Sequence, residues 1–498
     1  LPAKKEQMMK VVLRSAATIG LLATLACANV AGAEEPSSQM AYPQTRRVDH
    51  TDVYFGVKVA DPYRWLEADI RTSPEVAAWA AAENKITDRY LAAIPQRESI
   101  RRRLTELWNF PLYAPPMKEG GRYYYLKNDG LQNQAVLYLM DTLYGKPRPL
   151  IDPNTWSKDG AVALGGLGFS DDGRYVAYSR AEAGSDWSIW HIMEIATGKI
   201  LPDELKWTKF SRASWTKDGK GFFYSRYEEP KQGAEFQALN FNSRVCYHRV
   251  GTPQSADILV FWRPEHPDWQ YEAVVTDDGR YLVISAVRGT DERQRVFVRD
   301  LSEQYAMPIE LIDNFDHEFS FVGNQGAVMY FKTDLNAPRR RLVAIDLRMP
   351  QRQDWQEIIP QSADMLTQVT LLGGRFIACY LKDVVSQTKV FSIEGQFLRD
   401  VELPGIGTAV GFGGKQRDAE TFYSFSSFAT PPSVYRYDVA SGASTLWHGA
   451  EVKFDPNDYE VKQVFYSSKD GTRVPMFIAY KKGIKLDGSN PTLLYGYG

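Results

Sequence analysis

From about residue 112 onward, short runs of aromatic and β-branched residues alternate with turns rich in Gly, Asp and Asn. One unit recurs: a turn ending in Gly, an apolar strand, a loop, and a second strand ending near Asp. Its clearest members are GGRYYYLKNDG from Gly120, SDDGRYVAYSR from Ser170, TKDGKGFFYSR from Thr216 and TDDGRYLVIS from Thr276. Weaker copies are GNQGAVMYFK from Gly323, LGGRFIACYL from Leu372 and RDAETFYSFS from Arg417. The seven units lie roughly 45 to 60 residues apart. Asp-Gly between alternating runs signals a tight hairpin, because such turns want positive φ. Units of about 40 to 50 residues holding about four strands are the mark of propeller blades. A β-solenoid needs shorter repeats, and a sandwich would not repeat seven times. The pattern predicts a mainly β fold, with a seven-bladed propeller around a central tunnel over residues 112–452.

The flanks follow other periods. Residues 73–109 read as two helices: Ser73 is a suitable N-cap with Pro74 at the first helical position, and Val76, Trp79, Ile86 and Tyr90 recur at helical spacing. Pro95 interrupts, and Ile100, Leu104 and Leu107 continue on the second helix. After about residue 453, VKQVFYSSKDGTRVPMFIAY predicts a long hairpin turning at Lys469-Asp470-Gly471. Pro491 then introduces TLLYGYG, a run suited to a buried parallel strand opening into a Gly loop.

The first residues resemble a secretory leader. Lys10 and Arg14 precede a small, apolar stretch from Ala16 to Val30, and Ala31-Gly32-Ala33 supplies the residues a signal peptidase needs before Glu34. Export to a periplasm, or secretion, is expected. A lipid-anchored form cut before Cys27 is the alternative, with Thr24-Leu25-Ala26 an imperfect lipobox. The apolar run is shorter than the ~20 residues of a permanent span, and no second one follows, so no membrane partner is expected.

At 498 residues the chain is too long for one ordinary core. Its formal net charge of -2 gives no reason to expect nucleic acid. The basic runs Arg101-Arg102-Arg103 and Arg339-Arg340-Arg341 read as solvated faces. Apart from Cys27, the cysteines are Cys246 and Cys379, in strand-like RVCYH and FIACYL, where they act as small apolar residues. Spacing leaves a disulfide between them open. No Cys or His lies at ligand spacing from another, so neither a metal nor a cofactor is expected. The six histidines, His50, His191, His248, His266, His317 and His448, read as structural or surface residues, with Asp316-His317-Glu318 a solvated turn.

Several stretches resemble the prolyl oligopeptidase family of serine peptidases. YPQTRRVDHTDVYFGVKVADPYRWLE, from Tyr42 to Glu67, is similar to that family's opening, with DPYRWLE its most specific element. GLQNQAVLYLMD (Gly130 to Asp141) resembles its first blade, KFSRASWTKDGKGFFYSR its third, and NPTLLYGYG the start of its peptidase half. The resemblance implies an α/β-hydrolase domain, built from both chain ends, covered by a seven-bladed propeller that restricts entry to short peptides cleaved after proline. After the leader over 1–33, it implies a helical segment over 34–111 packing on the hydrolase domain, the propeller over 112–452, and the start of the hydrolase domain over 453–498. Tyr497, in GYG, matches the tyrosine whose hydroxyl helps form the oxyanion hole, and Phe210, in KFS, matches a propeller aromatic facing the substrate. A propeller cysteine that the family places after DIL is Val260 here. The expected partners are short proline-containing peptides, with the chain a monomer.

Amide hydrolysis by this route needs a Ser nucleophile on a Gly-x-Ser-x-Gly elbow, followed by Asp and His. The chain contains no such elbow; its nearest likeness, Gly168-Phe169-Ser170, leads into a blade turn. The resemblance puts all three catalytic residues beyond Gly498. The expectation is therefore the propeller-bearing part of a peptidase, inactive alone. A non-catalytic exported propeller that binds peptides is the alternative.

Overall fold

The computed structural model of the protein describes residues 41–182, 184–231 and 239–496, so the leader and Tyr497 lie outside the described residues. The chain divides into two compact units, one ending at Arg97 and one running from Glu98. In the first, strands Thr51–Tyr54 and Val57–Ala60 form a hairpin. The DPYRWLE stretch closes on itself there: Arg64 pairs with Asp61 at 3.0 Å, with Glu67 at 2.8 Å and with Asp52. Helix α1, Pro74–Ala92, starts where the sequence places it, with the Ser73 hydroxyl accepting from the Val76 amide at 3.4 Å. Trp79 of α1 meets Trp65 edge-on, their ring centroids 6.5 Å apart. Helix α2, Arg97–Trp108, follows the break at Pro95.

Seven antiparallel sheets follow, each contiguous in sequence: residues 112–151, 162–208, 214–261, 269–312, 319–359, 365–400 and 408–448. These are blades 1 to 7. Each has four strands in sequence order; in blade 1 the first place is shared by Leu112–Tyr113 and Met117–Glu119, both paired to Arg122–Asn128. Every repeat unit found in the sequence falls on the second strand of a blade and the turn before it. In blades 2, 3 and 4 that turn is one device used three times. The hydroxyl of Ser170, Thr216 or Thr276 donates to the carboxylate of Asp172, Asp218 or Asp278 at 2.6, 2.7 and 2.6 Å. Gly173, Gly219 and Gly279 follow with φ between +64 and +75°, where a Cβ is strained.

The core is not one mass but seven. Each hydrophobic cluster lies between two neighbouring blades, and the second strands, apolar over consecutive residues as in FFYS and YLVI, bury both of their faces. Six of them hold nine to eleven buried residues each; the seventh, between blades 7 and 1, holds five: Tyr123, Tyr125, Met140, Leu143 and Phe422. Among the described residues no strand crosses that seam to complete a neighbouring blade. Polar bonds supplement it instead. Glu420, buried on blade 7, accepts from Lys118 Nζ at 3.0 Å and Tyr123 Oη at 2.5 Å on blade 1, and from Arg436 Nε at 2.5 Å.

After blade 7, strands Tyr459–Ser467 and Arg473–Lys481 form the expected hairpin, turning through Gly471 at φ +84°. The expected strand at Thr492 to Tyr495 is absent. Among the described residues that segment pairs with no other and leaves Leu493, Leu494 and Tyr495 exposed, because a parallel strand exists only where a neighbour completes its ladder. Cys246 and Cys379 are free thiols on blades 3 and 6, which excludes the disulfide. Arg101 and Arg103 are solvated, as read from sequence, and so is Arg339, but the two residues after it are committed to ion pairs. Arg340 reaches between Glu318 and Glu292, at 2.5 and 2.6 Å, and Arg341 pairs with Glu357 at 2.8 Å. Glu318, expected in a solvated turn, is buried with Lys332 at 2.7 Å as its second partner. These partners are distant in sequence: Glu292, Glu318 and Glu357 meet Arg340 and Arg341, and Lys332 meets Glu318, only once blades 4 and 5 have folded.

Candidate substrate-facing rim and tunnel

Blade 2 ends on Lys199–Thr208, and the chain reaches blade 3 through KFSRA. Thr208 is fixed, donating to Ser188 O at 2.6 Å. On either side of this anchor the backbone is strained: Trp207 has φ +61° and Phe210 φ +52°, a region large side chains avoid. The surroundings hold the strain. Trp207 O accepts from the Tyr227 amide at 2.9 Å, and the Trp207 ring meets Trp187 edge-on at 5.6 Å. Lys209, 8% exposed, lays its ammonium 4.0 Å from the Trp187 ring centre and donates to Asn240 Oδ1 at 2.9 Å; burial holds its pKa below the ordinary lysine value. The result is a rigid polar-aromatic footing from which Phe210 stands out, 64% exposed. An aromatic at a blade edge is usually core; this one is not.

Two residues on, Arg212 pairs with Glu272 at 2.8 Å, and both line a cavity of about 600 Å³ in the tunnel. Its walls come from the first strands of blades 4, 5 and 6, including Val274, Phe321 and Leu371. A second cavity of about 260 Å³, against blades 2 and 3, shares Glu119, Asp277 and Lys415 with it. These three residues lie where the tunnel meets the turns between first and second strands. Burial, together with Asp418, Asp277 and Asp171 nearby, pushes the Glu119 carboxyl up to about 7 against the pull of Lys415.

At this end the blade 7 turn differs from the others. Residues 412–419 leave Phe412, fully buried and stacked on Tyr423 at 4.6 Å, and reach over to other blades. The Gln416 amide donates to Asp277 Oδ2 of blade 4 at 2.6 Å, and Gln416 O accepts from the Gly373 amide of blade 6 at 2.9 Å. Arg417 pairs with Asp171 of blade 2 at 3.0 Å, and Lys415 Nζ lies 3.8 Å from Glu119 of blade 1. With its amide turned to satisfy both groups, the Gln416 side chain bonds the backbone of Asn324 in blade 5 at 3.0 and 3.1 Å. Lys217 of blade 3 joins by bonding Asp171 at 3.0 Å and Asp277 O at 2.8 Å.

The remaining candidate chemistry is structural. His248 is fully buried, with Nδ1 2.7 Å from Asp257 and Nε2 2.9 Å from Asp203. Burial alone would lower its pKa; the two carboxylates outweigh that and raise it to about 9. A protonated imidazole between two carboxylates, with no path to a substrate, is a staple between blades 2 and 3 and not a base. Ser170 is equally enclosed, its hydroxyl committed to the blade turn. Among the described residues no group of His, Cys, Asp or Glu is arranged to hold a metal.

Residues 43–450 match the family model described as prolyl oligopeptidase, N-terminal beta-propeller domain. The chain belongs to the prolyl oligopeptidase family. It is 40% identical to a prolyl endopeptidase of Elizabethkingia meningoseptica, over 96% of this chain and 67% of that one. It is 32% identical to a dual function macrocyclase-peptidase of Galerina marginata, over 92% of this chain and 67% of the other. Among solved structures, a prolyl endopeptidase superposes with a TM-score of 0.82 at 34% identity, covering 92% of this chain and 67% of its own. Prolyl oligopeptidase B of Galerina marginata, bound to a 35mer hydrolysis and macrocyclization substrate, superposes at 0.79 with 31% identity, over 90% and 66%. The chain thus carries the propeller of a prolyl oligopeptidase and spans about two thirds of the length of these relatives.

Proposed function

We propose that this chain is the propeller-bearing part of an exported serine endopeptidase that cleaves short peptides after proline. The observation that carries the substrate side is Phe210. A bulky residue is held at positive φ, outside the core, on a footing of buried aromatics and a buried lysine beside the tunnel. Backbone strain of this kind costs about 1–3 kcal/mol per residue and persists where function uses it. In this reading Phe210 presses on the peptide from the propeller side. Residues following Gly498 supply the Ser, Asp and His, and the Tyr497 phenol donates to the oxyanion. The family resemblance and the shared two-thirds length with prolyl endopeptidases support the reaction; the leader supports export, with Glu34 as the new amino terminus.

The test is steady-state kinetics of the full-length protein on a short peptide with one proline. Phe210→Ala removes contact surface, so KM should rise about tenfold with kcat changed little. Tyr497→Phe deletes a donor that strengthens as charge develops, so kcat should fall about 10²- to 10³-fold. Binding of proline peptides without turnover by the full-length protein would replace this reading with that of a peptide-binding propeller.

A further inference from the structure

The blade 7 loop 412–419 has no counterpart in the repeat. The turns of blades 2, 3 and 4 bond within themselves, whereas this loop bonds directly to blades 1, 2, 4, 5 and 6, with Lys217 of blade 3 locked under it. It is stiff at its root, where buried Phe412 adopts φ +57° and Thr421 Oγ1 donates to Gly413 O at 2.7 Å. It is also folded on itself, with the Lys415 amide donating to Asp418 Oδ2 at 2.8 Å. Gly414, Lys415 and Gln416 line the larger tunnel cavity from this side. We propose that this loop is a stopper: it makes the tunnel a one-ended chamber, entered from the Phe210 side, and so limits how much of a long peptide the propeller can accommodate.

The chemistry of the tethers suits a fixed closure. Arg417 and Asp171 form a charge-assisted pair on the rim, and the Gln416 amide gives its hydrogen to a carboxylate, both stronger than neutral bonds. Three tethers involve a charge, Arg417 to Asp171, the Gln416 amide to Asp277 and Lys415 to Glu119; removing Arg417 and the Asp277 carboxylate together takes away the two of hydrogen-bond length. The consequence for substrate length rests on the proline-directed reading above; the closure itself does not.

The experiment compares full-length wild type with the Arg417→Ala/Asp277→Ala double variant. Hydrogen exchange at the Gln416 and Gly373 amides reports the loop, and kcat/KM for a four-residue and a 35-residue peptide, each with one proline, reports the chamber. In the variant both amides should exchange at least about tenfold faster. The 35-residue to four-residue ratio of kcat/KM should rise about tenfold, with short-peptide turnover within about twofold of wild type. Asp171→Ala leaves the loop sequence intact but removes the shared partner of Arg417 and Lys217, so it gives a smaller change in the same direction and carries the test if the double variant does not fold. Freed amides with an unchanged ratio would overturn the stopper, and amides that stay protected would overturn the tethers. Absence of short-peptide cleavage by wild type would instead strike the proline-directed reading, leaving the exchange result to decide the closure.

Discussion

Replacing Glu420 should open the propeller at one seam and nowhere else. The blade 7–blade 1 interface has the smallest apolar cluster, and Glu420 compensates by accepting from Lys118, Tyr123 and Arg436. Removing one partner from a buried ion pair costs about 3–5 kcal/mol, because the remaining charge is left unpaired. Lys118 and Arg436 each keep about a third of their side chains in solvent, at 31% and 33%, and can rehydrate in part. Tyr123 cannot, and its lost bond to a carboxylate is worth about 1.5–3 kcal/mol. With the two ion pairs largely discounted, Glu420→Ala should lose about 2–4 kcal/mol; Glu420→Gln, which keeps an acceptor and the volume, should lose less. The donors hold the Glu420 carboxyl below its ordinary range against the opposing effect of burial. Its contribution is therefore present above pH 4.5, the unperturbed value, and fades as pH falls through the lowered one. Hydrogen exchange during urea unfolding is the assay. Strands Arg122–Asn128 and Glu420–Ser426 should lose protection first, ahead of blades 4 and 5. A stability loss under about 1 kcal/mol, or simultaneous opening of all blades, would refute the seam argument.

Three further outcomes follow from the geometry. The His248 staple has a folded pKa of about 9 against 6.5 unfolded, so its stabilisation is full below pH 6.5 and is lost as pH rises through 9. Urea midpoints measured from pH 6 upward should fall across that window in wild type, and His248→Gln should flatten the profile. Gly120→Ala should destabilise by about 2–4 kcal/mol, since φ is +54° and the added Cβ would lie 2.3 Å from Gly173 Cα across the blade 1–blade 2 turns; an unchanged melting curve would mean that those turns part freely. Burial pushes the Cys246 and Cys379 thiols up to about 11, so maleimide at pH 8 should leave both unlabelled in the native protein and label both in denaturant, read by peptide mass spectrometry.

What could be read from the sequence was whatever repeats or is local. The Ser/Thr-x-Asp-Gly turns bond within a few residues, so their pattern carries their geometry, and even the degenerate copies at Gly323, Leu372 and Arg417 land on the right strand. The Ser73 cap is legible for the same reason. Residues that act across blades are not legible in this way. RDAETFYSFS looked like one more weak repeat, although Arg417 and Glu420 in it tie the tunnel end and the seam through partners far away in sequence. Arg340 and Glu318 looked solvated because each loop alone would be. Phe210 was singled out by resemblance, but its exposure and left-handed backbone could not be read from KFS, since they depend on Trp187, Tyr227 and Asn240.

Each blade being whole in sequence has a consequence for the order in which the protein is made. The bond between Lys118 and Glu420 spans 302 positions, and that between Tyr123 and Glu420 spans 297. At a synthesis rate of about 5–20 residues per second, blade 1 waits roughly 15 to 60 seconds for the surface that will cover it. Throughout that interval Tyr123, Tyr125 and Met140 face the outside of a growing stack of sheets. A small aromatic cluster with a tyrosine hydroxyl and a lysine at its edge is a less adhesive face to leave uncovered than the nine- to eleven-residue apolar interfaces elsewhere in the ring. The thinness of the seam thus reads as protection for a nascent chain against sticking to its neighbours on the same message.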